Sequence, residues 1–143
     1  MGRMPVFLTA LWWGGISAIS FIVVPVLFNQ LGNPSLAGTI AAKLFSIQSI
    51  GVLGIALALL VSPSVRREMP LVAMLVVAMG ATLTQEFLIA PRILQSRALG
   101  ESVRLWHSLG TLCILMQWLL GGAVLSQLIR LRCHSKAAPI GGV

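Results

Sequence analysis

Glu86, in the stretch TLTQEFLIAPRIL, is a carboxylate set in an apolar segment; Lys43, in AAKLFS, and His107, in RLWHSL, are a cation and an imidazole in similar surroundings. Brought together, an acid, an ammonium and a titratable ring have three uses. They can fasten one another by ion pairs and hydrogen bonds, pass a proton, or, through the imidazole, ligate a metal or a haem iron. Which of these applies depends on the elements that carry them.

Those elements are set by composition. The chain is 57% apolar and 9% charged, with a mean hydropathy of +0.97, far from the balance of a soluble domain. No residue charged at neutral pH lies between Arg3 and Lys43, between Lys43 and Arg66, or between Glu68 and Glu86, and from Leu105 to Ile129 only His107 could carry a charge near neutral pH. A spanning helix needs about 20 apolar residues, and the first long run divides at the turn NQLGNPS, so four spans are expected, at roughly 5–28, 36–61, 70–90 and 102–129. The fold class is therefore all-α: a four-helix transmembrane bundle, one integral membrane domain over residues 1–143, with a flexible tail over 133–143. The first apolar run exceeds the roughly 7 to 15 residues of a signal-peptide core and is expected to stay as an anchor. Val6 stands where a myristoylation signal needs Ser or Thr.

Basic residues orient such a bundle. Arg3, Arg66, Arg67, Arg130, Arg132 and Lys136 fall on one side, and Arg92, Arg97 and Arg104 on the other with Lys43 near its edge, which expects both termini in the cytoplasm of a bacterial inner membrane. The net charge of +7 reads as this topology signal plus attraction to anionic lipid headgroups. It is not a nucleic-acid footprint, because the cations sit in short loops without interleaved aromatics. Cys113 and Cys133 lie 20 residues, or about 30 Å, apart on one helix and cannot bridge. Cys133 and His134 alone make too few ligands for a metal site, so no metal is expected.

At 100° per residue, His107, Gly110, Ile114, Gln117, Gly121 and Leu125 share one face of the fourth helix. Lys43, Ile47, Gly51, Gly54 and Ala58 line up on the second, Gly14, beside Gly15, with Ala18, Phe21 and Pro25 on the first, and Leu75, Met79, Thr82, Glu86 and Ala90 on the third. Small residues let helices approach in lipid, so these four faces are expected to turn inward. Glu86 then lies about 7 to 8 Å from a helix end at Pro91, with Lys43 and His107 as partners and Arg92, Arg104 and Gln117 as further contacts. Trp118 is too deep for an interfacial anchor and is expected to pack inside the bundle.

A weak repeat is also visible. VVPVLFNQ in the first helix matches IAPRILQS in the third, and KLFS in the second matches RLWH in the fourth, as in two duplicated helical hairpins. Taken together, LWWGGISAISFIVVPVLFNQLGNPSLAGTIAAKLF, FLIAPRI and LWHSLGTL resemble the family called domain of unknown function 4149, bacterial relatives of transmembrane-protein-205-like proteins. The resemblance runs from Trp13, Gly14 and Gly15 through Pro25, Phe28, Ala37, Gly38 and Phe45 to Pro91 and His107. It implies a small four-helix membrane protein with no established reaction, and for the eukaryotic relatives an association with resistance to platinum drugs. This chain has no cytoplasmic Cys or Met cluster with which to hold platinum.

Three function classes follow. The first is a non-enzymatic membrane component with a buried Glu86, Lys43 and His107 cluster, partnering lipids, a second copy or another membrane protein. The second is a small oligomeric proton-linked transporter or exporter of drugs or metals. The third is a haem-binding redox protein with His107 as an axial ligand and Met79 or Met116 opposite, since His134 falls on the other side of the membrane. No catalytic pair, nucleophile motif or phosphate loop points to an enzyme.

Overall fold

A computed structural model describes residues 3–100 and 102–137. Its spanning helices are α1 (Met4–Gln30), α2 (Pro34–Val61), α4 (Met69–Ala98) and α5 (Arg104–Ala137), and a single turn, α3 (Pro63–Arg66), links α2 to α4. All four long helices are long and apolar enough to cross a membrane, and no strand occurs among the described residues. Their outer surfaces carry Phe7, Phe21, Ile47, Ile50 and Val61 in the open, as a lipid-facing wall should. Of the tail expected to begin at 133, residues as far as Ala137 continue α5, and 138–143 lie outside the described residues.

Proline marks the entry of each of α1 to α4, where a missing N–H costs nothing. Asn33 caps α2 by accepting from the N–H groups of Ser35 and Leu36 at 3.1 and 3.2 Å. The turns after α1 and α4 each pass through a glycine at positive φ, Gly32 at 58° and Gly100 at 69°.

Prolines inside α1 and α4 are handled differently. Pro25 and Pro91 have no N–H, and their rings would strike the carbonyls of Phe21 and Phe87 in a regular helix. Each helix widens instead into a π-turn just upstream, at Ile19–Val23 and Gln85–Ile89, where Val24 N–H bonds to Ile19 O and Ala90 N–H to Gln85 O. Because the π-turn absorbs Pro91, α4 does not stop at residue 90. It runs on to Ala98, about 18 Å of helix beyond Glu86. The same succession of π-turn, proline and left-handed glycine thus occurs in both hairpins, a backbone counterpart of the sequence repeat.

The apolar core occupies one end of the bundle. Trp12 of α1, Val52, Ala56 and Leu59 of α2, Val65 of α3, Leu71, Leu75 and Ala78 of α4, and Val124 and Leu128 of α5 form one cluster. Val6 near the start of α1 and Cys133 near the end of α5 line a common cleft, so both described ends of the chain lie at this end.

The inward faces agree with expectation on two helices and correct it on two. On α5, Gly110, Gln117 and Gly121 are buried but His107 is exposed, and on α4, Leu75 and Thr82 are buried with Glu86 half-buried. On α1 the buried face is Pro5, Thr9, Trp12 and Ile16, while Gly14, Ala18, Phe21 and Pro25 turn outward. The smallness that admits close approach belongs to the receiving helix, where Gly121 and Gly122 of α5 lie against Trp12 and Trp13. On α2 the approach is made by Ala37, Ala41 and Ala56, with Ser49, Val52 and Leu59. Lys43, Ile47, Gly51, Gly54 and Ala58 turn outward, which spares the bundle an ammonium in its interior.

Candidate functional site

The polar side chains collect at the level of the π-turns. On α4 the wide turn carries Gln85 and Glu86 side by side, and each reaches a different helix. Gln117 of α5, almost fully buried, donates through Nε2 to Gln85 Oε1 at 3.1 Å. Ser46 of α2 donates its hydroxyl to Glu86 Oε1. Next to Gln117, Trp118 donates through Nε1 to Ser17 Oγ of α1 at 2.9 Å, and Ser17 donates on to the carbonyl of Trp13. Ser17, Trp118, Gln117, Gln85, Glu86 and Ser46 therefore form a polar belt that crosses all four spanning helices in the order α1, α5, α4, α2.

Aromatic packing braces the α1 side of this belt. The Trp118 ring stacks on Trp13 with centroids 5.8 Å apart and meets the edge of Phe21 at 5.7 Å. Trp118 thus packs within the bundle, as its depth in the sequence expects. In lipid the belt matters more than its size suggests, because packing and interhelical hydrogen bonds, not hydrophobicity, hold helices together. Around it, the buried atoms Trp12 Nε1, Ser20 Oγ and Gln48 Oε1 have no hydrogen-bond partner among the described residues.

The three residues singled out by sequence do not meet as a triad. Glu86 is in the belt, partnered by Ser46. His107 is exposed near the start of α5, with Nε2 3.4 Å from Arg97 Nη2, and Lys43 is exposed on the outer face of α2. Of the further contacts, Gln117 joins Glu86 through its neighbour Gln85, Arg92 lies over the Trp106 ring at 5.7 Å, and Arg104 is exposed. Pro91 does not end the helix; its effect is the π-turn that presents Glu86. Of the packing glycines, Gly110 contacts Ile89 and Gly121 contacts Trp12 and Trp13, whereas Gly14, Gly15, Gly51 and Gly54 have open space where a Cβ would stand.

Ser46, Gln85, Ser17 and Arg97 escaped the reading of the sequence. The repeat held a clue to the first, since KLFS and RLWH align Ser46 with His107. Gln85 adjoins the acid that drew attention, and Arg97 was hidden by placing the helix end at Pro91.

Four apolar helices tied by a polar belt make this chain an integral membrane protein of the four-helix kind. It belongs to the family described as a domain of unknown function, DUF4149, whose model matches residues 7–102. The match takes in α1 through α4 and with them Ser17, Ser46, Gln85 and Glu86, while Gln117 and Trp118 lie beyond it. No curated protein and no solved structure matches the chain.

Proposed function

We propose that this protein is a non-enzymatic membrane component in which the belt fastens four helices and the outer faces of α1 and α2 receive a partner. The carrying observation is that the belt's polar groups point at one another across helix interfaces: Ser46 to Glu86, Gln117 to Gln85, Trp118 to Ser17. Catalytic groups would instead converge on a shared space. Glu86 and His107 have separate partners, and His107 Nε2, the nitrogen that an iron would take, faces the Arg97 guanidinium. Gly14, Gly51 and Gly54 present open small-residue surface on α1 and α2, the kind against which a second copy or another membrane protein packs. The basic residues near the apolar end, Arg3, Arg66, Arg67, Arg130 and Arg132, support an inner-membrane orientation with both termini in the cytoplasm.

Native mass spectrometry from mild detergent, with Gly54→Leu beside the parent chain, tests this reading. It predicts an oligomer or co-purified membrane protein that Gly54→Leu removes without lowering the thermal stability of the monomer. A parent chain seen only as a monomer, with no companion, would contradict it.

A second reading, a proton-linked transporter working as an oligomer, is favoured by one observation: Glu86 sits in a π-turn, a feature that concentrates at functional sites. It predicts proton flux in proteoliposomes that Glu86→Gln abolishes.

A further inference from the structure

The end of the bundle opposite the apolar core carries two arginines of α4 that reach side chains and backbone of its neighbours. Arg97, near the end of α4, lies across the backbone of α2 at Gly38, with Nη2 2.8 Å and Nη1 3.4 Å from where a Cβ would stand. Its Nη2 is 3.4 Å from His107 Nε2 on the first turn of α5. Six residues after Glu86 on α4, Arg92 reaches the neighbouring side chain of α5, its guanidinium carbon 5.7 Å from the Trp106 ring centre. Two arginines from one helix thus contact adjacent residues on the next, Arg97 at His107 and Arg92 at Trp106, and Arg97 also lies against α2. Arginine is the side chain suited to such a place, since its planar fork of donors matches the oxygens of a phosphate and its flat face stacks on an aromatic ring.

The surroundings say which phosphate. Leu94 lies between the two arginines on α4, Leu99 just past its end, and Leu105 precedes Trp106 on α5; each is more than three-fifths exposed. A free phosphate has no use for apolar flanks, whereas a lipid has acyl chains to lay on them. We propose that this cluster binds the phosphate of an anionic membrane lipid, with Arg97 as principal donor, Arg92 and His107 beside it, and the exposed leucines against the lipid chains. The proposal is independent of whether the belt fastens the bundle or moves a proton.

Native mass spectrometry of the full chain in an uncharged detergent tests it, with phosphatidylglycerol, phosphatidylcholine and sodium phosphate as probes. Phosphatidylglycerol should be retained in preference to phosphatidylcholine, and sodium phosphate should not displace it. Arg97→Gln should weaken retention by about tenfold or more, the worth of a hydrogen bond to a charged group, and Arg97→Lys by less. Arg66→Gln, at the opposite end, should leave it unchanged. If Arg97→Gln does not fold, Arg92→Gln should lower retention in the same direction. Equal retention of the two lipids, displacement by sodium phosphate, or an equal loss in Arg66→Gln would each overturn the assignment.

Discussion

The half of the bundle that holds Trp12, Leu59, Leu71 and Leu128 is joined by side chains filling one another's gaps, and the half that begins at the π-turns is joined by polar contacts. At the first end even the link between helices contributes, since Val65 of the one-turn α3 is buried in the core. At the second, no residue of α1 from Ile19 to Gln30 is fully buried, and in α4 after Ile89 only Ser96 is. Prolines explain the change: each forces a wide turn that breaks the regular phase of an inward stripe, and polar groups take over where tight packing stops. The two ends should therefore respond to substitution differently.

Truncating the apolar end should cost most. Leu128→Ala removes a fully buried side chain from the cluster, and a loss of about 2 to 4 kcal/mol is expected by reversible unfolding in mixed micelles. A loss no larger than at the polar end would erase the contrast between the two. Overpacking between α1 and α5 comes next. A Cβ on Gly122 would stand 3.1 Å from Trp13 Nε1, so Gly122→Val should lower stability by about 1 to 3 kcal/mol, and tryptophan fluorescence should report the displaced ring.

Within the belt the effects should be smaller and depend on pairing. Gln117→Leu leaves Gln85 without its partner and should cost about 1 kcal/mol, while Gln85→Leu together with Gln117→Leu should recover most of it. A double variant no better than the single one would mean that the amides act separately. The smallest effects belong to the outward glycines. Gly51→Ala and Gly54→Ala meet open space and should change monomer stability by no more than about 0.5 kcal/mol in a thermal scan.

Much of this was legible in the sequence, unevenly between the two hairpins. Uncharged run lengths located four spans, because the hydrocarbon thickness fixes how many apolar residues a crossing takes. On α4 and α5 most of the small and polar residues do face inward, Gln117 and Glu86 among them, while His107 is exposed. On α1 and α2 the same rule chose the wrong face. There the interior is taken by Trp12 and by alanines, and glycine marks the outer wall. Small size says that a helix can be approached, not which neighbour approaches it. Sequence does not give the partner of Glu86 for a related reason: Lys43 and His107 stand out by charge, but the hydroxyl of Ser46 meets one carboxyl oxygen without bringing a cation inside. The depth of Glu86 depended on Pro91, which from sequence reads as a stop and in the backbone is a widened turn.

If the belt holds helices to one another, the contact between Ser46 of α2 and Glu86 of α4 should carry a coupling energy. A double-mutant cycle of Ser46→Ala and Glu86→Gln, read as unfolding free energy in mixed micelles, should give a coupling of about 0.6 to 1.7 kcal/mol, the range of interhelical hydrogen bonds in membranes. Strictly additive effects of the two substitutions would show that Glu86 does not bind α2 to α4, and the fastening role would fail with them.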